Sequence, residues 1–163
     1  MVIKMFQKSN WKEPIYKSDL RKVLLYGLLT AILVGILGGA LDYALYLVNF
    51  NISIGLILLA IAVGIMIRRA YFNYHILYPV LSIPFLLVGL LFLHFTYYSF
   101  IFGDVLFTIS QPYVYLWYVE MPVLNLINGI KEPNTLYIIY GIFDIVIFAF
   151  SFWYCYRLSK GRS

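Results

Sequence analysis

Charged residues are scarce in this 163-residue sequence, and cysteine is almost absent. Asp, Glu, Lys and Arg make up 12% of the chain, against about 25% in an ordinary soluble domain. The single cysteine, Cys155, can form neither an intramolecular disulfide nor a cysteine-based metal site. Because it lies near the end of the last apolar run, we expect it to pack as a small hydrophobe, with lipid attachment as the alternative.

Catalytic motifs are missing as well. The sequence contains no HExxH motif, no GxSxG motif and no phosphate-binding glycine loop. The acids and the histidine inside its apolar runs would make a thin metal site even if they converged, because catalytic zinc sites usually have a fuller set of ligands. We therefore predict that the protein is not an enzyme and has no cofactor and no bound metal.

Long apolar runs dominate what is present. Apolar residues make up 63% of the chain, its mean hydropathy is +0.88, and the runs cover residues 23–48, 51–67, 76–100 and 136–156. A water-soluble fold could not bury this much apolar surface, so lipid is the expected solvent and the spans should be helices. We predict an all-α, polytopic integral membrane protein with four transmembrane helices. A basic leader, residues 1–22, precedes a single transmembrane helical domain, residues 23–163.

The basic residues indicate the orientation of the spans. With four spans and a cytoplasmic N-terminus, eleven of the 12 Lys and Arg residues lie in the cytoplasm and only Lys131 lies outside, as the positive-inside rule requires. The leader and the run after it are too long for a signal peptide, so the first span should be retained. We expect a multi-pass protein of the cell membrane with both termini in the cytoplasm. The formal charge of +5 does not indicate nucleic-acid binding, because the basic residues form no patch with interleaved aromatics.

An outer segment, residues 101–135, separates the third and fourth spans. It is rich in aromatic residues but is interrupted by prolines and polar residues. A fifth span here would move the basic C-terminal residues outside, so we interpret the segment as interfacial or re-entrant helices. The same segment provides a predicted outer docking surface, which comprises Tyr113, Tyr115, Trp117, Tyr118 and Glu120.

Small residues recur every four positions in the first span, at Ala31, Gly35 and Gly39. This spacing places them on one helix face, where a second backbone can approach closely. Ala60 and Gly64 have the same separation in the second span, and the short turn between the spans makes that helix the expected partner. We predict a helix-packing seam inside one chain, with a homodimer face as the alternative.

Three polar residues inside the runs form a candidate intramembrane polar site. From the rise of a helix, Asp42 and His94 fall close to the outer boundary of the bilayer, and Asp144 falls roughly 10 Å deeper. Asp144 is either a proton, cation or substrate contact, or a structural hydrogen-bonding group between helices. The structural alternative is favoured for Asp42, which can reach interfacial water, and His94 has the neighbours of an interfacial aromatic belt.

The sequence favours a small non-enzymatic membrane protein that acts through partners, such as an accessory subunit of a membrane complex or an immunity-type protein. Its expected partners are the lipid bilayer and other membrane proteins or further copies of itself. The alternative is a transporter or channel subunit whose polar path passes Asp144, His94 and Asp42. A third hypothesis, an intramembrane enzyme acting on lipid, requires these three residues to cluster around one substrate.

Overall fold

The computed structural model describes residues 14–48, 53–111, 123–124, 127–131 and 135–160, and within these ranges the chain is helical and has no strand. The predicted all-α fold is therefore confirmed. The labelled helices are α1, Lys17–Leu47; α2, Ile54–Ala70; α3, Leu77–Phe102; α4, Val105–Ser110; and α5, Thr135–Lys160.

Three helices in the described part of the chain are long and apolar enough to cross a membrane: α1, α3 and the Ile138–Lys160 stretch of α5. This is one fewer than the four predicted spans. The difference is α2, whose 17 residues extend about 26 Å, slightly less than a hydrocarbon core of about 30 Å.

The first three long helices alternate in direction. Gly27 lies against the ring of Phe85 and Gly39 lies against the backbone of Leu93, so α1 and α3 are parallel. Asp42, near the end of α1, contacts Ser53 at the beginning of α2, so α2 runs in the opposite direction. The chain thus goes forward along α1, back along α2 and forward again along α3.

Helix α5 packs against α2 and α3 and runs parallel to α2. Gly64 of α2 lies against Cys155 and Leu158 of α5, and Tyr71, which follows α2, reaches the last residues of α5. The ends of the four long helices therefore lie in two groups, one at each end of the bundle. We call the end with the beginning of α1 and the end of α5 the basic end, and the end with Asp42 the distal end.

The helix boundaries extend beyond the apolar runs at the basic end. α1 begins at Lys17, inside the predicted leader, and α5 continues to Lys160. Hydropathy marks where a segment meets lipid, whereas the backbone hydrogen bonds of a helix continue into its charged flanking turns. Residues 17–22 of the leader therefore belong to the same helix as the first span.

The core lies where α1, α2 and α3 meet, and much of the outer surface is apolar. The buried core side chains include Val23, Leu56, Leu59, Val63, Ile67, Tyr78, Leu86 and Leu93. On the opposite face of α1, Leu33 and Leu37 are exposed. Soluble monomers rarely expose large contiguous apolar patches, so this surface is compatible with a protein surrounded by lipid.

The loop between α2 and α3 is fixed to two other helices at the basic end. The buried carboxylate of Asp19 in α1 accepts hydrogen bonds from the backbone N–H groups of Phe72 (3.2 Å) and Asn73 (3.0 Å). The hydroxyl of Tyr71 donates to the backbone carbonyls of Ser159 (2.7 Å) and Lys160 (3.3 Å) at the end of α5. The loop therefore connects α1 to α5.

Tyr71→Phe is expected to lower the free energy of unfolding by about 1 kcal/mol, because the buried carbonyls at the end of α5 lose their donor. Burial raises the pKa of Tyr71 from 10.0 to about 12, so the neutral, donating phenol persists in the folded protein. Its stabilisation is complete below pH 10 and is lost as the pH rises through about 12. Thermal unfolding in mild detergent measures the effect. Tyr26→Phe, on the exposed face of α1, is the control, and an equal loss in both variants would contradict the role of Tyr71.

Candidate functional site

Asp42 is buried at the distal end, where its carboxylate contacts the beginning of α2. One oxygen accepts from the Ser53 hydroxyl at 2.5 Å, and the other accepts from the backbone N–H of Gly55 at 2.8 Å. Ser53 is also the N-cap of α2 and accepts from the backbone N–H of Leu56 at 3.3 Å. A carboxylate at this position satisfies free N–H groups and complements the positive end of the helix dipole.

The sequence contains a signal for part of this arrangement. Ser53 stands immediately before an apolar run, which is the usual place of an N-cap residue. The link from Asp42 to Ser53 depends on the relative rotation of two helices, which the sequence does not reveal. Asp42 lies near the distal end of α1, and its hydrogen-bond partners are determined by the fold.

His94 belongs to a group of aromatic side chains at the distal end. Its buried ring lies edge-on to Tyr98, with centroids 6.3 Å apart. Tyr98 in turn contacts Tyr97 at 5.2 Å and Phe102 at 5.7 Å. Tyr97 reaches across to Tyr46 of α1, with centroids 6.1 Å apart. The assignment of His94 to an interfacial aromatic belt stays a prediction.

Asp144 is half-buried on α5, and no hydrogen bond or ion pair joins its carboxylate to another of the described residues. The helix around it is largely uncovered. We call residues 138–150 the distal half of α5; its exposed apolar side chains are Ile139, Tyr140, Ile142, Phe143, Ile145, Val146 and Phe150.

The remaining part of α5, residues 151–160, packs against the other helices. Ser151, Cys155 and Ser159 are buried, and a methyl group on Gly64 would lie 2.8 Å from the Cβ of Leu158 and 2.9 Å from the carbonyl oxygen of Cys155. Cys155 therefore packs as predicted, and its thiol is not at the surface. In the most apolar stretch of α5, 17% of the residues are buried, whereas 50% are buried in the corresponding stretch of α3. Helix α5 therefore lies at the edge of the bundle.

The three polar residues lie on three different helices, and α1 and α5 each pack against both α2 and α3. Asp42 and His94 share the distal end of two adjacent parallel helices. Within the described ranges, His, Cys, Asp and Glu form no group of three or more that could hold a metal ion. The structure thus groups Asp42 and His94 with the distal aromatics and Asp144 with the exposed surface of α5.

The small-residue seam of α1 is present, but the predicted partner was wrong. Gly35 lies against the carbonyl of Gly89, and Gly39 lies against the carbonyl of Leu93, both in α3. The adjacent Gly38 contacts α2 instead, because successive residues are rotated by about 100° around a helix.

Gly64 of α2 does not pair with this seam as predicted. Ala60 is buried in the core, and Gly64 contacts α5. Gly35 and Gly39 are covered by α3 of the same chain. They are therefore packing residues within one chain and present no homodimer face.

The predicted outer docking surface, formed by Tyr113, Tyr115, Trp117, Tyr118 and Glu120, lies outside the described residues. The beginning of the outer segment is described and forms α4. Asp104 caps this helix by accepting from the backbone N–H of Leu106 at 2.8 Å and of Phe107 at 3.1 Å. Its six residues extend about 9 Å, too short to cross a bilayer, and most of its apolar side chains are exposed.

Sequence reasoning missed Asp19 and Tyr71, which position the loop at the basic end. Asp19 is an acid among lysines and arginines at the beginning of a helix, a pattern more typical of a solvated turn. Its actual donors are backbone N–H groups 53 and 54 residues away. No residue type marks such donors in the sequence.

Comparisons with protein families, curated proteins and solved structures give no significant match. Over its described residues, the structure defines the class, an all-helical protein with three helices that could span a membrane. Its function must be argued from the geometry of the chain itself.

Proposed function

We propose that this chain is a multi-pass membrane protein that crosses the bilayer four times, has both termini in the cytoplasm, and acts without catalysis by binding another membrane protein through the distal half of α5. The observation that carries the proposal is Asp144, a half-buried carboxylate with no partner among the described residues, on a largely exposed apolar helix.

The direction of the helices supports a fourth crossing. Because α1 and α3 are parallel, a chain that crosses along both must return through α2. Helix α2 begins beside Asp42 at the distal end and leads to the loop held by Asp19 at the basic end. Its 17 residues are at the lower limit of about 17–25 for a transmembrane helix.

The positive-inside rule supports the orientation. All described basic residues except Lys131 belong to the parts of α1, α2 and α5 that meet at the basic end: Lys17, Arg21, Lys22, Arg68, Arg69, Arg157 and Lys160. Basic residues of this kind are concentrated on the cytoplasmic side of membrane proteins. The basic end is therefore assigned to the cytoplasm.

Asp144 supports a partner inside the membrane. It lies 13 positions before Arg157, which places it about 20 Å from the basic boundary and within the hydrocarbon core. Lipid tails satisfy the exposed isoleucines and phenylalanines of α5, but they offer no donor to a carboxyl group. Intramembrane acids usually pair with one another, with basic groups or with other polar groups, so a donor on a partner helix would complete the site.

The transporter alternative receives less support from the geometry. A polar path would need Asp42 free to contact an ion or a proton. Its two carboxylate oxygens already accept hydrogen bonds from Ser53 and Gly55. Asp144 is thus the candidate polar residue whose carboxylate forms no hydrogen bond or ion pair with another described residue.

Asp144→Leu is expected to reduce partner capture at least tenfold. A photo-crosslinking amino acid at Tyr140, which is exposed one helical turn before Asp144 on the same face of α5, should give one discrete crosslinked product in native membranes, and Asp144→Leu should abolish most of it. Phe143→Leu, which changes a neighbouring exposed residue, is the control and should retain the crosslinked product. Crosslinking to lipid alone, or a product that is unaffected by Asp144→Leu, would rule out this docking site.

A further inference from the structure

The basic end carries positive charge that is not neutralised within the described chain. Lys17, Arg21, Lys22, Arg68, Arg69 and Arg157 are exposed, and none of them forms an ion pair with a described acid. The one acid described here, Asp19, is buried and accepts from backbone N–H groups. An anion from outside the described chain could therefore approach this surface without displacing an internal partner.

The loop at this end presents an aromatic side chain in a fixed position. Phe72 is 92% exposed, although its backbone N–H is bonded to Asp19. On one side Tyr71 is held by the end of α5, and on the other side His75 accepts from the backbone N–H of Leu77 at 3.0 Å. The exposure of Phe72 is thus imposed by an anchored loop.

Two arginines end helix α2, shortly before Phe72 in the chain. The guanidinium carbon of Arg68 lies 5.1 Å from the centroid of the Tyr71 ring, which holds a charged group against the loop by a cation–π contact. Arg69 follows it and is exposed. Guanidinium groups bind phosphate oxygens through paired N–H donors.

We propose that Arg68, Arg69 and Phe72 form a binding site for the headgroup of an anionic phospholipid. The arginines bind the lipid phosphate, and Phe72 inserts at the boundary between headgroups and acyl chains, where aromatic side chains concentrate. A free phosphate ion would use the arginines but not the exposed phenylalanine. The site rests on the membrane crossing in the proposed function but not on the partner at α5.

The site predicts a measurable preference for anionic lipid. In native mass spectrometry of the detergent-solubilised full chain, phosphatidylglycerol should bind at least tenfold more tightly than phosphatidylcholine. Each Arg→Gln change at positions 68 and 69 should weaken phosphatidylglycerol binding about fivefold, and the double variant about 25-fold, since a basic residue near an anionic membrane surface contributes about 1 kcal/mol, a fivefold change in affinity.

Further variants separate the site from folding and from membrane topology. Arg68→Lys with Arg69→Lys keeps the charge and should lose only part of the affinity, because lysine lacks the paired donors. Phe72→Ala should weaken phosphatidylglycerol binding severalfold with no change in charge. Lys131→Gln, another exposed cation, is the control and should bind as the wild type does.

Three results would overturn the proposal. They are equal binding of the two lipids by the wild type, full affinity in the double Arg→Gln variant, and competition by inorganic phosphate as effective as that by the lipid. None of them affects crosslinking at Tyr140, so failure of the lipid site is distinguishable from failure of the partner site.

Discussion

Gly39→Leu is expected to lower the free energy of unfolding by at least about 3 kcal/mol, the upper end of the usual cost of overpacking. A Cβ at position 39 would overlap the backbone carbonyl of Leu93 and would lie 2.9 Å from the Cβ of Thr96. The obstacle includes backbone, so the helices must separate instead of a side chain turning aside. Thermal or denaturant unfolding in mild detergent measures the loss.

Two comparisons make this test specific to the contact between α1 and α3. Leu37→Ala changes a side chain that is 69% exposed on the same helix and should change stability by less than about 0.5 kcal/mol. Gly39→Ala should fall between the two. If Gly39→Leu unfolds at the same temperature as Leu37→Ala, the close approach of the two helices is not present in the protein.

Asp42→Leu is expected to destabilise the protein by about 2–4 kcal/mol, because the buried N–H of Gly55 and the hydroxyl of Ser53 lose their acceptor. Asp42→Asn keeps one oxygen as an acceptor and should cost less than half as much. Ser53→Ala removes the N-cap and should cost about 1 kcal/mol. Unfolding in detergent gives the three values, and amide hydrogen exchange at residues 54–57 should accelerate most in Asp42→Leu.

The same series distinguishes a structural acid from an acid that conducts ions or protons. A structural role requires Asp42→Asn to retain most of the stability and to slow exchange at the beginning of α2 relative to Asp42→Leu. If Asp42→Leu were as stable as the wild type while ion flux in liposomes disappeared, the transporter alternative would replace the present assignment.

The helical fold could be predicted from the sequence because the length and apolarity of a run determine what it can form in lipid. The helix boundaries were less predictable, since α1 begins at Lys17 among charged residues that hydropathy assigns to the leader. Helix partners were not predictable. The spacing of Gly35 and Gly39 indicates a close contact, but the choice between α2 and α3 depends on how each helix is rotated about its axis.

The candidate site, like the fold, was only partly predictable from the sequence. Asp42, His94 and Asp144 could be selected because polar side chains are conspicuous in apolar runs, and their depth in the bilayer stays a prediction from the rise per residue. Their surroundings could not be derived. The donors to Asp42 include a backbone N–H, which every residue except proline carries, and the exposure of Asp144 depends on where α5 packs.

The hydrogen bonds of Asp42 also bear on how the chain is inserted during synthesis. Its donors, Ser53 and Gly55, follow it by 11 and 13 residues, so α1 and the beginning of α2 contain the whole arrangement. A nascent hairpin can form these bonds before α3 has left the ribosome. In the proposed topology, the carboxylate then crosses the bilayer with its two oxygens already accepting hydrogen bonds. These bonds offset part of the cost of translocating an acid and favour entry of α1 and α2 into the membrane as one unit.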